Sequence, residues 1–346
     1  MSSRDPQPEL QIPTLDDVAR RAGVSTATVS RCLNTPARVS EQTRERVMEA
    51  VQALGYAPNF GAQALAAKRT NTFGAIIPTM DNAIFARGLQ AFQEELGLHG
   101  ITLLVASSSY KPELEAEQIR ALIARGADAL LLIGYDRTPE TYDFLRKRQI
   151  PYVVAWAYQD GRKTPSVGFD NRQAMKALTH EVIGLGHRAL ALISANRRDN
   201  DRARERSEGV LDAMRAHGLD PASLRIVETP YSIANGAQAF AEIMSGPTRP
   251  TAVLCGNDVL AAGALAKAKD LGLRVPDDVS ITGFDDIEIA GIVSPALTTV
   301  HVPHREMGRR AARLLVSLRN GGTSGSGEEL ATAIEWRDSL GQAPDA

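Results

Sequence analysis

Short apolar runs alternate with amphipathic segments from Phe73 onward, and this alternation limits the fold more than any other feature of the chain. The runs are FGAIIP, ITLLVAS, ADALLLIG, IPYVVAW and SVGFD, followed by RALALISA, RIVETP, TAVLCGND, VSITGFDD and LTTVHV. Apolar strands that alternate with helices form parallel sheets covered on both faces. The two sets of strands therefore predict two doubly wound α/β lobes, each of domain size.

The helical segments and the end of the chain complete this prediction. The helices are expected to begin near Ile84, Glu113, Pro139, Asn171, Arg202, Ile233, Asp258 and His304. The stretch GGTSGSGEE (321–329) reads as a flexible connection, and ATAIEWRDSL as a last strand. The charged stretch RRDNDRARER is expected to form a solvated helix face, and His187 to lie in a loop or in the core.

The segment 14–56 predicts three short helices. Thr14 is placed to cap the first helix, Gly23 to end it and Ser25 to cap the second, because hydroxyls accept the orphan N–H groups and Gly tolerates a left-handed conformation. The inward faces are Leu15, Val18, Ala19 and Ala22 in the first helix, Val29, Cys32 and Leu33 in the second, and Val47, Ala50, Val51 and Leu54 in the third. The third helix begins at Ser40 and ends at Gly55.

Two helices joined by a short Gly-containing turn favour a helix-turn-helix, whose second helix enters the major groove of DNA. That helix would begin with the small side chains of Thr26, Ala27 and Thr28, so its backbone could approach the base edges closely. Arg31 could bond guanine O6 and N7 together. Hydroxyl and amide groups suit phosphate oxygens; those available are Thr14, Ser25, Thr28, Ser30 and Asn34. An ordinary three-helix cap on the larger domain is the alternative.

Composition excludes several classes of protein. The net charge is −2, and residues 1–69 hold nine Lys and Arg against seven Asp and Glu, so no basic patch argues for nucleic acid. Cys32 and Cys255 are isolated and apolar in setting, which argues against a disulfide framework or a metal site. No cofactor motif is present. The N-terminal residues lack an apolar leader and no run is long enough to span a membrane, so we expect a cytoplasmic protein.

Polar side chains follow the predicted strands, where ligands settle in doubly wound sheets. They are Asp81, Asn82, Trp156, Asp170, Asn257, Asp258, Asp285 and Asp286. Carboxylates, amides and an aromatic ring around one cleft suit a polyhydroxylated ligand such as a sugar. Alternatives stay open: Asp258 is expected to cap the helix that follows rather than to bind, Asp286 to cap or be solvated, and Asp170 could do either. Trp156 could be a core aromatic between the lobes.

The chain as a whole resembles the LacI/GalR family of bacterial transcription regulators. The motifs that carry the resemblance are TLDDVARRAGVSTATVSRCLN, VSEQTRERVMEAVQALGYAPN, FGAIIPTMDNAIFARGLQ, GLGHR, RPTAVLCGNDVLAAGAL, GLRVPDDVSITGFDD and LTTVHVP. The resemblance implies a helix-turn-helix domain at 13–58, a hinge helix and linker at 59–72, and a periplasmic-binding-protein-like core at 73–341. The first lobe would comprise about 73–184 and 300–328, and the second about 185–299 and 329–341.

The resemblance also assigns roles to individual residues. Thr26, Ala27 and Arg31 would face bases, and a hinge helix around Asn59–Ala66 would form on DNA and insert Leu65 between base pairs in the minor groove. Gly61 lies within this hinge and would weaken its helix by about 1 kcal/mol relative to Ala. Relatives contact their effectors at positions matching Phe85, Arg206, Tyr231, Asn257 and Asp285.

These observations favour a ligand-responsive, homodimeric transcription regulator that binds an inverted repeat of operator DNA and is most often a repressor. Two-fold protein symmetry should appear in the DNA site. A solute receptor with the same two-lobed core is the first alternative, and the missing leader and added helix-turn-helix argue against it. An enzyme using Asp258 and Asp285 as acid and base is the second, but both carboxylates have simpler roles.

Overall fold

The computed structural model describes residues 12–57, 69–323 and 327–344. The hinge residues Asn59, Gly61 and Leu65 lie outside these ranges. The chain divides into two compact units, Met1–Thr70 and Asn71–Ala346. Within the described residues, none of the helices combines the length and the apolar character needed to cross a membrane.

The N-terminal unit contains three helices, α1 (Leu15–Ala22), α2 (Thr26–Asn34) and α3 (Glu41–Leu54), with a 3₁₀ turn at Pro36–Arg38. Thr14 and Asp17 form a reciprocal capping box at the start of α1, which satisfies two of its free N–H groups. Gly23 ends α1 with φ 65° and Gly55 ends α3 with φ 63°, so both Gly stops are confirmed. Ser25 caps α2 through its side chain, as predicted.

The three helices share one small core. Each helix contributes one fully buried valine to this core: Val18 on α1, Val29 on α2 and Val47 on α3. Cys32 is a free, buried thiol in this cluster, which agrees with its prediction as a small core residue. The buried faces are those predicted from the helical spacing, and the remaining faces are left for other contacts.

The second unit contains two parallel sheets. The strands of the first sheet are β1 (Thr72–Ile77), β2 (Thr102–Ser107), β3 (Ala129–Ile133), β4 (Tyr152–Ala155), β5 (Ser166–Gly168) and β11 (Glu328–Glu329). Those of the second are β6 (Leu190–Ser194), β7 (Arg225–Glu228), β8 (Ala252–Cys255) and β9 (Ser280–Thr282). The strand order is β11-β5-β4-β3-β1-β2 in the first sheet and β7-β6-β8-β9 in the second. Two parallel sheets confirm the predicted doubly wound core.

The helices of this unit begin within one residue of the predicted starts. They are α4 (Ala83–Gly97), α5 (Pro112–Ala124), α6 (Pro139–Lys147), α7 (Asn171–Gly184), α8 (Asp201–Ala216), α9 (Ile233–Met244), α10 (Asp258–Asp270) and α12 (His304–Arg319), with the short α11 (Glu288–Ile292) in addition. The closest helix pairs are α7 with α8, α9 with α10, and α4 with α12. Pairing of this kind buries the apolar face of each helix against a sheet and a neighbouring helix.

Two details differ from the sequence prediction. The run LTTVHV forms β10 (Thr299–His301), which pairs antiparallel with β12 (Ala333–Glu335) instead of joining the second sheet as a ladder strand. Glu328–Glu329, predicted within a flexible connection, forms β11 at the edge of the first sheet. Strand periodicity does not report which sheet a strand or helix joins.

Candidate functional site

The helix α2 presents one exposed and one buried face. Thr26, Ala27 and Arg31 are exposed, whereas Val29 and Cys32 are buried against the other two helices. The Arg31 side chain makes no ion pair with any described residue, so its guanidinium is available to an outside acceptor. This division of faces allows α2 to enter a DNA groove without disturbing the core of its own domain.

The hydroxyls predicted to contact phosphates hold the ends of the helices. Thr14 Oγ1 donates to Asp17 Oδ2 at 2.6 Å, and the Asp17 N–H donates back to Thr14 Oγ1. The bonds from Thr14 hold the pKa of the Asp17 carboxyl below its ordinary value. Ser25 Oγ accepts from the Thr28 N–H at 3.2 Å and lies 2.9 Å from Thr28 Oγ1. These groups define the α1–α2 turn. Ser30 is half-buried, and the side chain of Asn34 lies outside what the structure describes.

In the core unit, Phe85, Trp156 and His304 form a buried aromatic group. The Phe85 and Trp156 rings meet edge to face with centroids 5.4 Å apart, and His304 stacks on Trp156. Trp156 Nε1 donates to His304 Nδ1 at 3.1 Å. Because Nδ1 accepts, the single N–H of the neutral imidazole is at Nε2, which donates to the Asp285 carbonyl at 3.2 Å. Burial lowers the pKa of His304 to about 3, which keeps the ring neutral. The Trp156 side chain is thus almost fully buried.

Arg206 and Asp285 lie side by side at the other end of this group. Arg206 Nη2 is 3.6 Å from Asp285 Oδ1, while Arg206 Nε donates to Asn171 Oδ1 at 2.9 Å and Nη1 donates to the Gly256 carbonyl. The guanidinium also lies 3.9 Å from the centroid of the Phe284 ring. Asp285 Oδ1 is buried and accepts no hydrogen bond. Burial raises the pKa of this carboxyl to about 7, against the lowering effect of Arg206.

Asn257 and Asp258 have structural roles that the sequence did not separate. The cap of α10 is Asn257, whose Oδ1 accepts from the Leu260 N–H at 2.9 Å. The expectation that Asp258 caps this helix is wrong: its carboxylate accepts from the Ile287 N–H at 2.8 Å and from Thr299 Oγ1 at 2.5 Å. Asp258 therefore ties the start of α10 to the two segments that follow β9. Helical spacing does not distinguish the cap from the first residue after it.

Burial makes Asp258 a source of pH-dependent stability. Desolvation, followed by the nearby Asp285 charge, raises its pKa from 3.8 to about 8. Between pH 3.8 and about pH 8, Asp258 has lost its proton in the unfolded chain but keeps it in the folded chain. The free energy of unfolding should therefore fall by about 1.4 kcal/mol per pH unit from this group between pH 4 and 8. Urea unfolding of Asp258→Asn across this range should show a smaller fall in the free energy of unfolding per pH unit than the wild type. Identical slopes for the two proteins would contradict the raised pKa of Asp258.

The remaining predicted effector residues occupy helix ends and cavity walls. Asn82 caps α4 through the Ile84 N–H, and Asp170 caps α7 through two N–H groups at 2.9 Å. Asp170 also lines a cavity of about 230 Å³. Tyr231 lines a cavity of about 450 Å³, together with Tyr110 from the opposite lobe, whose ring centroid lies 6.1 Å away. Tyr110 was not predicted, because no pattern places the loop after β2 at this cleft.

The N-terminal turn of α8 corrects a further expectation. The charged stretch RRDNDRARER is not simply a solvated face, since Asp201, Arg202 and Arg206 are all at least nine-tenths buried. The Tyr135 N–H donates to Asp201 Oδ2 at 2.5 Å across the lobes. Arg204 forms a two-pronged ion pair with Asp136, at 2.8 and 2.9 Å. These groups dock the end of β3 onto α8.

Two other expectations were resolved by the structure. Asp286 neither caps a helix nor is simply solvated, because Oδ2 lies 2.8 Å from His301 Nδ1 and Oδ1 accepts from Arg337 at 2.7 Å. His187 is a core histidine, as expected, with its ring nitrogens 2.9 Å from Thr251 Oγ1 and 3.1 Å from the Gly341 carbonyl.

A helix-turn-helix unit followed by a two-lobed core of parallel sheets defines a class of DNA-binding regulator. The model of the lacI family of bacterial regulatory proteins matches residues 14–59, and that of the periplasmic binding protein-like domain matches 179–340. The chain is 32% identical to catabolite control protein A of Priestia megaterium over 327 residues, covering 94% of this chain and 98% of the relative. It belongs to the LacI family of transcription regulators, which are not enzymes.

Solved structures agree with this assignment. A lac repressor dimer bound to operator and the anti-inducer ONPF superposes with a TM-score of 0.84 at 26% identity, covering 96% of this chain and all of that one. The transcriptional regulator CelR in complex with cellobiose superposes with a TM-score of 0.69 at 29% identity, covering 94% and 99% of the two chains.

Proposed function

We propose that this regulator binds an inverted-repeat operator as a homodimer and acts as a repressor. A sugar or sugar derivative bound between its lobes would alter its affinity for the operator. It would act in the cytoplasm, where the operator lies. The observation that carries the DNA-binding part is the exposed face of α2, on which Arg31 forms no ion pair with any described residue and behind which Val29 is buried. The operator-bound dimer of the lac repressor supports the dimer and its two-fold site.

On DNA, Arg31 would read a guanine while Thr26 and Ala27 lie close to the base edges. Hydroxyl groups, and the N–H groups beside them, would donate to phosphate oxygens. These hydroxyls belong to Thr14, Ser25 and Thr28, and Ser30 and Asn34 would make the same kind of contact further along α2. The proposed contacts of Asn59 and the wedge of Leu65 belong to this scheme, although both residues lie outside the described part of the chain.

The proposed effector site is centred on Arg206 and Asp285. The buried Asp285 Oδ1 lies 3.6 Å from Arg206 Nη2 but accepts no hydrogen bond from any described residue, and a buried polar atom without a hydrogen bond is destabilising by about 1–3 kcal/mol. A ligand hydroxyl would satisfy it. Phe85 and Trp156 would provide an apolar wall, and Tyr231 would close the side toward the larger cavity. Polar groups at the helix ends would come from Asn82, Asp170 and Asn257. The cellobiose complex of CelR supports a sugar as the ligand class.

Arg31→Ala should weaken binding to the preferred operator by about 1–3 kcal/mol and relax the preference at one base pair in each half-site. Removal of a guanidinium that contacts a base affects discrimination, whereas removal of one that contacts a phosphate weakens all sequences alike. Operator titrations with single-base-pair variants measure this difference. Arg46→Ala, which removes the same charge from an exposed position on α3, is the control and should leave base preference unchanged.

Selection of bound sequences from random DNA, with and without a panel of mono- and disaccharides, tests the function as a whole. An inverted repeat should be enriched, and at least one sugar should change the fraction bound. Enrichment of a single unpaired half-site would contradict the dimer. A response to none of the sugars would contradict the proposed ligand class while leaving DNA recognition intact.

A further inference from the structure

A second cavity, of about 230 Å³, lies between the lobes, and its lining includes Asn171, which accepts a hydrogen bond from Arg206 Nε. We call it the lateral cavity. Its walls include Tyr135 and Arg162 from the first lobe, Asp170 at the start of α7, and Glu205 on α8 of the second lobe. At about 30 Å³ for each water in the liquid, this volume corresponds to roughly seven or eight water molecules. Such a space suits a small metabolite.

Most of the charged groups around the lateral cavity already have partners. Arg204 is paired with Asp136, and Arg172 donates to Asp212 at 2.6 and 3.0 Å. Arg202 is paired with Asp201 at 2.7 Å. These pairs fix the walls and leave little free charge of their own.

Three charged groups remain without a full set of partners. The Glu205 carboxylate accepts no hydrogen bond from any described residue, and Asp170 uses only Oδ1 for its two cap bonds. Arg162 lies 4.1 Å from the centroid of the Tyr135 ring and uses one nitrogen, Nη1, to donate to Gln159 Oε1 at 3.0 Å. Burial raises the pKa of Glu205, against the lowering effect of the Arg172 and Arg204 charges. Two carboxylates and one guanidinium thus face a common space.

We propose that the lateral cavity is a second ligand site, which binds a small zwitterion of the α-amino-acid class. The ammonium group would pair with Glu205, and the carboxylate with Arg162. A neutral sugar would leave these charges without counter-ions, and a simple cation or anion would satisfy only one end.

Such a ligand would also report on the arrangement of the lobes. Arg162 belongs to the first lobe and Glu205 to the second, so a bridging ligand binds more tightly when the lobes are together. Asn171 lines the lateral cavity and accepts the bond from Arg206 Nε, which connects the cavity with the proposed effector site. Amino-acid binding should therefore change the affinity for the sugar effector, and by linkage the sugar should change amino-acid affinity by the same factor.

Calorimetric titration of the full chain with each of the twenty standard L-amino acids tests the proposal. At least one should bind saturably, and its decarboxylated amine and its deaminated acid should each bind at least about tenfold more weakly, which corresponds to 1.4 kcal/mol. Glu205→Gln and Arg162→Gln should each weaken binding by a similar factor. Glu208→Gln, one turn along α8 and outside the cavity, is the matched control and should bind normally.

Saturable binding by none of the twenty amino acids would overturn the proposal. Binding that survives Glu205→Gln unchanged, in a variant with a normal thermal unfolding midpoint, would overturn it as well. Arg206→Ala separates this site from the proposed effector site, because the amino acid should still bind while the sugar response is lost. Loss of the sugar response alone would therefore bear on the proposed function and not on the lateral cavity.

Discussion

Arg206→Ala and Asp285→Ala are each expected to abolish the response of operator binding to the sugar effector. Coupling between two sites in one protein is typically about 1–3 kcal/mol, so a change of roughly 5- to 150-fold in operator affinity should disappear. Arg206 donates to the Gly256 carbonyl and to Asn171, and Asp285 presents a buried carboxylate oxygen that accepts no hydrogen bond from any described residue. Operator titration with and without sugar, for each variant, measures the response directly.

Operator binding without ligand should remain nearly intact in both variants, because neither residue belongs to the helix-turn-helix unit. Asp285→Asn separates charge from shape, since the amide keeps the size of the side chain and removes its charge. Arg215→Ala, at the exposed end of the same helix, is the control for loss of an arginine from α8. Variants that keep the full response would place the effector elsewhere, and variants that lose operator binding outright would make these residues structural.

The helix starts and the N-terminal core were predictable because they depend on local signals. Thr14, Ser25, Gly23 and Gly55 act within one turn of their own position, and their chemistry is readable from the residue type. The apolar spacing of α1 identified Val18 in the same way. These elements needed no knowledge of the distant chain.

The site was predicted only in part, because its groups meet through long-range packing. The strand-end rule found Trp156 and Asp285, but nothing in the local sequence shows that His304 bonds both of them. Tyr110 reaches the cleft through a loop with φ 59°, a left-handed conformation that its residue type does not suggest. The buried charges of α8 were misread because a charged side chain is expected to be exposed unless its partner is known, and the Tyr135 N–H that pairs with Asp201 lies far away in the sequence.

Gly134→Ala is expected to weaken effector binding by more than tenfold by preventing the first lobe from docking onto α8. Gly134 follows β3 with φ 67°, and a Cβ there would overlap Arg202 Nη1 and Asp201 Oδ1. The methyl group would push apart the Tyr135 N–H and the Asp201 carboxylate, a hydrogen bond to a charged group worth about 1.5–3 kcal/mol. The neighbouring Asp136–Arg204 pair would be lengthened with it. Calorimetric titration with the sugar found to bind the wild type measures the loss.

Gly161→Ala is the matched control for the backbone part of this effect. Gly161 also has a left-handed backbone, at φ 74°, but a Cβ there would have no neighbour within 4 Å. Both substitutions therefore carry a left-handed penalty of about 1–2 kcal/mol in folding stability, and only Gly134→Ala adds the steric block between lobes. Adding Arg202→Ala to Gly134→Ala removes one of the overlapping side chains and should restore part of the affinity. Equal effector affinities for the two alanine variants would show that close approach at Gly134 is not needed for the ligand-bound arrangement.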